Sequence, residues 1–243
     1  MSTNFSPKSE QFYIVGAGVF GLMIALELRK RGYEKITVLD RCMPPVPDGL
    51  SVDISRLVRI DYADPFYIEL GLESVKGWLQ EPDYRDCFYK SGFALLSESS
   101  GHPYIERARR TLQMFNQEVQ PLNSRDEFKK KYPMFDGELL PQISGYWNDN
   151  CGCVDAEQAM EALVARCIGA GVSFVTGVRE TVATLVSSQK KKKKKTDGPP
   201  LSTGETLPCS RVILVTGSWA SHLVSLHGAA ICTGQPVVSI QLT

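Results

Sequence analysis

The stretch FYIVGAGVFGLMIALELRKRGYEKITVLDR, residues 12–41, decides how the chain is read. A short apolar run, Phe12 to Val15, passes without a linker into Gly16-Ala17-Gly18-Val19-Phe20-Gly21, which has the spacing G-x-G-x-x-G. The next residues have a helical period. Leu22, Ala25, Leu26 and Leu28 fall on or near one face, Glu27, Arg29, Lys30 and Arg31 on the other, and Gly32 supplies a stop. A second strand follows from Ile36 to Leu39. It ends in Asp40, near the offset of roughly 20 residues at which an acidic side chain meets the ribose hydroxyls of a dinucleotide.

Each glycine has a physical reason to stand in such a turn. Gly16 permits the tight bend, Gly18 lets the backbone approach a pyrophosphate, and Gly21 lets the helix lie close to the strand. The helix N-terminus then offers free N–H groups and the positive end of its dipole to the phosphates. The expected fold class is therefore α/β, with a Rossmann-like dinucleotide-binding domain. A carboxylate at Asp40 would repel a 2′-phosphate, which argues against NADP, but the motif alone does not separate FAD from NAD. The bland alternative for Asp40 is a strand-end cap.

Two later segments extend the same layered pattern. Residues 154–177 open on Asp155, continue with helical spacing through Met160, Leu163, Val164, Cys167 and Ile168, stop at Gly169-Ala170-Gly171, and lead into a strand from Val172 to Val175. Residues 211–219, RVILVTGSW, read as a buried strand running into a glycine turn, suited to return to the nucleotide from far along the chain. Between them, residues 61–150 are rich in aromatics. The expected elements there are a helix from Pro65 to Leu79, a strand from Gly92 to Leu96, a helix from about Tyr104 to Glu118, and a charged helix from Asp126 to Tyr132 on the surface.

Composition narrows the partners. Lys plus Arg (27) equals Asp plus Glu (27); six lysines sit in one run at 190–195, so the remainder carries 21 against 27, a net −6. No nucleic-acid surface is indicated. The lysine run, flanked by strand candidates, is expected to repel itself into a disordered hairpin insertion spanning 187–205. The seven scattered cysteines include only a Cys-x-Cys at 151–153 and read as reduced intracellular thiols. The first eleven residues lack the apolar core of a secretory signal, and no run reaches the length of a membrane span. The chain is thus expected to be soluble, cytoplasmic and a monomer. His102, His222 and His227 lack metal-ligand spacing, so no metal is expected.

The order of four segments, GAGVFGLMIALELRKRGYEKITVLDR, SVDISRLVRIDYAD, GCVDAEQAMEALVARCIGAGVSFVTG and VILVTGSWAS, resembles the FAD-dependent D-amino-acid oxidase superfamily. Within it the likeness is to the sarcosine, pipecolate, saccharopine and fructosyl-amino-acid oxidase group. The resemblance implies FAD as cofactor. It implies an FAD-binding domain made of residues 1–60 and 150–243, with an incomplete α+β substrate domain, 61–149, inserted in it.

Carried over by position, the resemblance puts Gly16, Gly18, Val19, Phe20, Gly21, Asp40 and Arg41 at the adenosine ribose and pyrophosphate. Ser55 and Arg56 match a hydroxyl-and-basic pair against the flavin, and Arg59 matches the arginine that takes the substrate carboxylate in a bidentate fork. Val182 resembles the position whose backbone meets the adenine, and Gly217, Ser218 and Trp219 the turn near the pyrophosphate and ribityl chain. The bland reading of Arg56 and Arg59 stands beside this one: two solvated arginines on an amphipathic segment whose Leu57, Val58 and Ile60 turn inward. Trp219 likewise reads either as core or as cofactor wall.

The implied activity is oxidation of the C–N bond of an N-substituted amino acid, with dioxygen as acceptor and hydrogen peroxide as product. Sarcosine, pipecolate, saccharopine and fructosyl amino acids are equally admissible as substrates. The family's pattern continues well past Thr243, including the lysine that activates oxygen, and Pro236 to Leu242 alternates like a strand that then stops. Thr243 does not complete the Ser-Lys-Leu-type peroxisomal signal common in full-length relatives. Two alternatives therefore stay open: a catalytically inactive, truncated remnant of such an oxidase, and an NAD-dependent dehydrogenase.

Overall fold

The structure is a computed structural model that describes residues 7–53, 56–133, 143–179, 181–182, 199–231 and 233. Two compact units are present: the described residues of 1–53 and 160–237 form one, those of 54–159 the other.

The first unit is built on a parallel sheet. Strand β1 (Gln11–Val15) leads into helix α1 (Val19–Lys30) and then strand β2 (Lys35–Asp40). Ile14, Val38 and Leu39 are fully buried, and α1 turns Leu22 and Ala25 inward from the face that the spacing predicts. The end of α1 is fastened more firmly than its charged residues suggest. Arg29 donates to the carbonyls of Ala170 (2.6 Å), just past the end of α5 (Ala156–Gly169), and of Tyr33 (3.1 Å) and Glu34 (2.9 Å) in the connection to β2.

The second unit begins with β3 (Arg56–Val58), α2 (Pro65–Gln80), β4 (Phe88–Tyr89), β5 (Phe93–Ser97), α3 (Pro103–Met114), β6 (Gln120–Leu122), α4 (Arg125–Lys131), β7 (Ser144–Asn148) and β8 (Gly152–Val154). It contains two small antiparallel sheets, ordered β3-β8-β4 and β5-β7-β6. Asp64 caps α2 by accepting from the amide of Phe66 (2.9 Å), with Pro65 in the first turn where a missing N–H costs nothing. The core gathers Ile60, Ile68, Ile105, Leu112, Tyr146 and Cys151. Helix α3 stops four residues short of the expected Glu118. Asn116 takes a positive φ of 53°, and the Gln117 amide turns back to the Leu112 carbonyl at 2.9 Å, closing the helix end.

Helix α5 (Ala156–Gly169) begins among residues of the second unit and ends in the first; Asp155 accepts from the Gln158 amide at 3.0 Å, the acidic start that the sequence offers. Strands β9 (Ser173–Thr176) and β10 (Arg211–Leu214) complete the parallel sheet in the order β10-β1-β2-β9, and the short helix α6 (Ala220–Leu223) follows. The chain therefore leaves the first unit at 53 and returns at 160, where 60 and 150 were expected. The reason is pairing: Arg56 to Val58 lie antiparallel to Val154 to Gly152, which ties both flanks to the second unit.

Of the insertion expected over 187–205, residues 199–205 are described and are ordered by pairing: Leu201 is buried and bridges Val182, and Pro200 bridges Thr206. The lysine run and the alternating stretch Pro236 to Leu242 lie outside the described residues.

Candidate cofactor turn and substrate arginine

Where β1 ends, the chain is held from both sides. The Gly16 amide donates to the Leu39 carbonyl and the Val215 amide to the Val15 carbonyl, both at 2.9 Å. Gly16 has φ +113°, and a Cβ there would overlap the Val215 carbonyl; at Gly21 it would overlap the Gly16 carbonyl. Gly18 differs. Its backbone (φ −74°, ψ −179°) suits any residue, and a Cβ would meet only Ser51 Oγ, at 3.4 Å. Nothing in the fold demands glycine at that position, so the absence of a side chain leaves open space at the start of α1. Gly18 provides no side-chain cap and the first turn of α1 carries no acid, while Phe20 is 74% exposed. The Val19 amide donates to Ser51 Oγ at 3.3 Å. A helix start of this kind presents positive potential to an anion.

Asp40 sits at the end of β2 with its carboxylate turned to the glycine turn. One oxygen accepts from the Ala17 amide and the other from the Arg41 amide, each at 2.7 Å. Arg41 pairs with Asp48, and its guanidinium lies 4.9 Å from the centre of the Trp219 ring. That pairing holds the Asp48 carboxyl below, and the Arg41 guanidinium above, their ordinary ranges. Gly217, at φ +52°, opens a single 3-10 turn through Ser218 to Trp219. Val182 joins Val15, Leu39 and Leu201 in one buried cluster under the strand ends. The structure thus places Gly16, Gly18, Val19, Phe20, Gly21, Asp40 and Arg41 at the C-terminal ends of β1 and β2, with Trp219 beside Arg41 and Val182 packed against Val15 and Leu39.

The arginines of SRLVR belong to the second unit. Arg56 is half-buried on β3 opposite Val154, and Ser55 lies outside the described residues. Arg59 is half-buried too. Its Nη1 donates to the Asp61 carbonyl at 3.3 Å, and its guanidinium lies 4.7 Å from the Tyr62 ring centre and 5.7 Å from that of Phe93. Among the described residues no carboxylate pairs with it. The reading of Arg59 as a freely solvated surface residue does not describe this environment.

Sequence reasoning passed over four features. Ser51 and Asp48 lie in a loop whose composition gives no hint of a role. Thr216 carries a buried hydroxyl with no partner among the described residues, beside the Gly16 turn. Asp61 is fully buried; its carboxylate accepts from Asn148 Nδ2 at 3.0 Å and from the Cys151 thiol at 2.9 Å. The one hint was a carboxylate set between Ile60 and Tyr62 in an otherwise apolar run. Burial, with the Asp61 charge beside it, pushes the Cys151 thiol and the Tyr146 hydroxyl far up. The Tyr146 hydroxyl lies close to the same carboxylate without reaching hydrogen-bond geometry.

Residues 11–242 match the model of a family described as FAD dependent oxidoreductase, DAO. The chain belongs to this family. The DAO chain is 28% identical over 250 residues to the L-saccharopine oxidase of Schizosaccharomyces pombe, an overlap of 97% of this chain and 57% of that protein. To the amino acid oxidase fsqB of Aspergillus fumigatus it is 26% identical over 269 residues, 96% of this chain and 53% of the other. Among solved structures, the fructosyl peptide oxidase from E. terrenum superposes with a TM-score of 0.75 at 26% identity, covering 91% of this chain and 52% of that one. The fold also matches the fructosyl amine:oxygen oxidoreductase (Amadoriase I) of Aspergillus fumigatus, TM-score 0.77 at 22% identity, over 91% and 52% of the two chains. The DAO chain spans about half the length of these relatives.

Membership of the DAO family answers what the glycine motif left open between FAD and NAD. The residues present fit a dinucleotide: a side-chain-free opening at Gly18, a helix start with no acid in its first turn, and a Thr216 hydroxyl without a partner among the described residues beside the turn. Among the described residues, no group of His, Cys, Asp or Glu is placed to hold a metal, and no helix is long and apolar enough to cross a membrane.

Proposed function

We propose that the chain is the cofactor-binding part of an FAD-dependent oxidase that oxidises the C–N bond of an N-substituted amino acid. The products are an imine, which water hydrolyses, and hydrogen peroxide from dioxygen. The observation that carries this reading is Arg59: a half-buried guanidinium between two aromatic rings, with no carboxylate partner among the described residues, in a DAO-family chain. A partly desolvated guanidinium in no direct ion pair among the described residues favours an anionic ligand, and a planar fork favours a carboxylate.

In this reading the backbone of Gly16, Gly18, Val19, Phe20 and Gly21 holds the pyrophosphate. Asp40 and Arg41 flank the adenosine ribose, Val182 offers backbone to the adenine, and Ser55, Arg56, Gly217, Ser218 and Trp219 line the flavin side. Bound FAD supplies the two-electron acceptor that no side chain can provide. Arg59 fixes the carboxylate end of the substrate, which restricts how the amine-bearing carbon is presented and lowers the entropic part of the barrier. Saccharopine and fructosyl amino acids head the candidate substrates, because relatives named for acting on saccharopine and on fructosyl peptides are among those matched.

The test is a visible spectrum of the purified chain after incubation with FAD and desalting. Addition of saccharopine, pipecolate, sarcosine or a fructosyl amino acid without air should bleach the flavin bands, and admitting air should release peroxide. Bleaching with one amine, lost in Arg59→Gln, supports the proposal. A folded chain that retains flavin and is bleached by none of them is a flavin binder without oxidase activity, and a colourless folded chain sinks the flavoenzyme reading altogether.

A further inference from the structure

The buried polar cluster around Asp61 has no place in the activity just proposed, and it is expensive. Asp61 and Asn148 are both fully buried, where an apolar pair of similar volume would cost less. Asn148 ends β7 and Cys151 precedes β8, so the two side chains that donate to the Asp61 carboxylate come from the strand framework of this unit. Asn148 is itself fixed, its Oδ1 accepting from the Asn150 amide at 2.9 Å. At its other end Asp61 offers a backbone carbonyl that accepts from two donors, the Tyr104 hydroxyl at 3.2 Å and Arg59 Nη1 at 3.3 Å.

Both donors to the carboxylate are neutral groups, and the charge nearby is that of Arg59, two residues away and not in direct ion pairing among the described residues. The guanidinium rests one nitrogen on the Asp61 carbonyl and, among the described residues, has no hydrogen-bond partner for its other nitrogens beside Tyr62 and Phe93.

We propose that Asp61 is a positioning residue for Arg59: its carboxylate, clamped by Asn148 and Cys151, fixes the carbonyl that holds the guanidinium ready for the carboxylate of an amino-acid-like ligand. This rests on the reading of Arg59 given above.

The experiment uses the full chain labelled with 15N and follows the Arg59 Nε–Hε signal, assigned by its loss in Arg59→Gln. Its heteronuclear NOE reports how rigidly the guanidinium is held without any ligand. Titration with saccharopine, a fructosyl amino acid and N-methylglycine in turn then gives a Kd for whichever binds. The wild type should show a rigid Arg59 that shifts on titration. Asp61→Asn should loosen the signal and weaken binding by about tenfold or more, the scale on which residues supporting a ligand-binding side chain act. Cys151→Ser, which keeps a donor to the carboxylate, should leave both readouts as in wild type, whereas Cys151→Val should behave like Asp61→Asn.

A rigid Arg59 and unchanged Kd in Asp61→Asn, with binding lost in Arg59→Gln, overturns the proposal while leaving the substrate arginine in place. Binding unaffected by Arg59→Gln, or no wild-type shift with any of the three amines, removes that reading and the proposal with it. If Asp61→Asn does not fold, the two Cys151 variants decide, and equal behaviour of Ser and Val overturns it.

Discussion

Gly18 separates a glycine kept for a ligand from glycines kept for the fold. In Gly18→Ala the new Cβ meets only Ser51 Oγ, at ordinary contact distance, and the backbone angles already suit alanine. Two small terms oppose each other. Alanine starts a helix less well than glycine, by about 0.5 kcal/mol, while the stiffer unfolded chain returns about 0.4–1 kcal/mol. The sum lies within about 0.5 kcal/mol of zero, or a change in Tm of no more than about 2 °C for a chain of this size. The same methyl occupies the space a pyrophosphate needs. Pushing that group off one backbone N–H forfeits about 1.5–3 kcal/mol of charged hydrogen bonding, which is tenfold or more in Kd. Gly21→Ala is the contrast, because its Cβ overlaps the Gly16 carbonyl and α1 must shift at a cost of about 1–3 kcal/mol. The assay is a thermal melt with and without FAD, where binding to the native state alone raises Tm by mass action. Wild type should gain stability with FAD, Gly18→Ala should melt like apo wild type without FAD and gain less by about the same 1.5–3 kcal/mol with it, and Gly21→Ala should melt lower in both. A Gly18→Ala protein that takes up FAD as wild type does would refute the assignment of this space to the cofactor.

Three further outcomes follow from the same geometry. Asp40→Ala strands the Ala17 and Arg41 amides and should cost about 1–3 kcal/mol in urea unfolding, with Asp40→Asn, which keeps one acceptor, falling between; equal stability of all three would show that the carboxylate does not brace the turn. Burial, helped by the Asp149 charge, pushes the Tyr132 hydroxyl up to about 12. The folded state therefore holds this proton longer than the unfolded one, so its contribution is complete below pH 10 and is lost as pH rises toward 12; an ultraviolet titration of wild type against Tyr132→Phe should lack a tyrosine ionising near 10. Cys151 and Cys167, both fully buried with raised thiols, should resist iodoacetamide until the chain unfolds, while the half-buried Cys42 and Cys153 react first, as peptide mapping would show.

The first unit was legible because its signals are local and agree with one another. An apolar strand, three glycines at fixed spacing, a helical stripe and a terminal acid all lie within residues 12–41, and β10 announces itself as an apolar run into a glycine. In the second unit the helices and β5 were legible too, but the short strands β3, β4, β6, β7 and β8 were not. Its β7 reads Ser-Gly-Tyr-Trp-Asn, with neither alternation nor an apolar run, and β3 is three residues long. Such strands owe their existence to antiparallel partners far along the chain, β3 to β8 and β7 to β5 and β6. The same holds for the site. Gly18 and Asp40 could be picked from spacing, whereas Asp61 gained its meaning only when Asn148, at the end of β7, and Cys151, just before β8, arrived beside it.

The place of β1 between β2 and β10 sets an order of events in time. Its pairing with β2 crosses one short helix, and this strand-helix-strand piece can form soon after synthesis, but Tyr13 must wait for Val212, most of the chain later. Loop-closure entropy makes that second contact the late one. The bend at Gly16 shares this delay, because the Val215 backbone that confines it arrives with the same strand. A nascent chain therefore carries an unfinished nucleotide turn until Val215 has emerged, and in the mature protein a loosening of β10 frees the Val215 side of that turn.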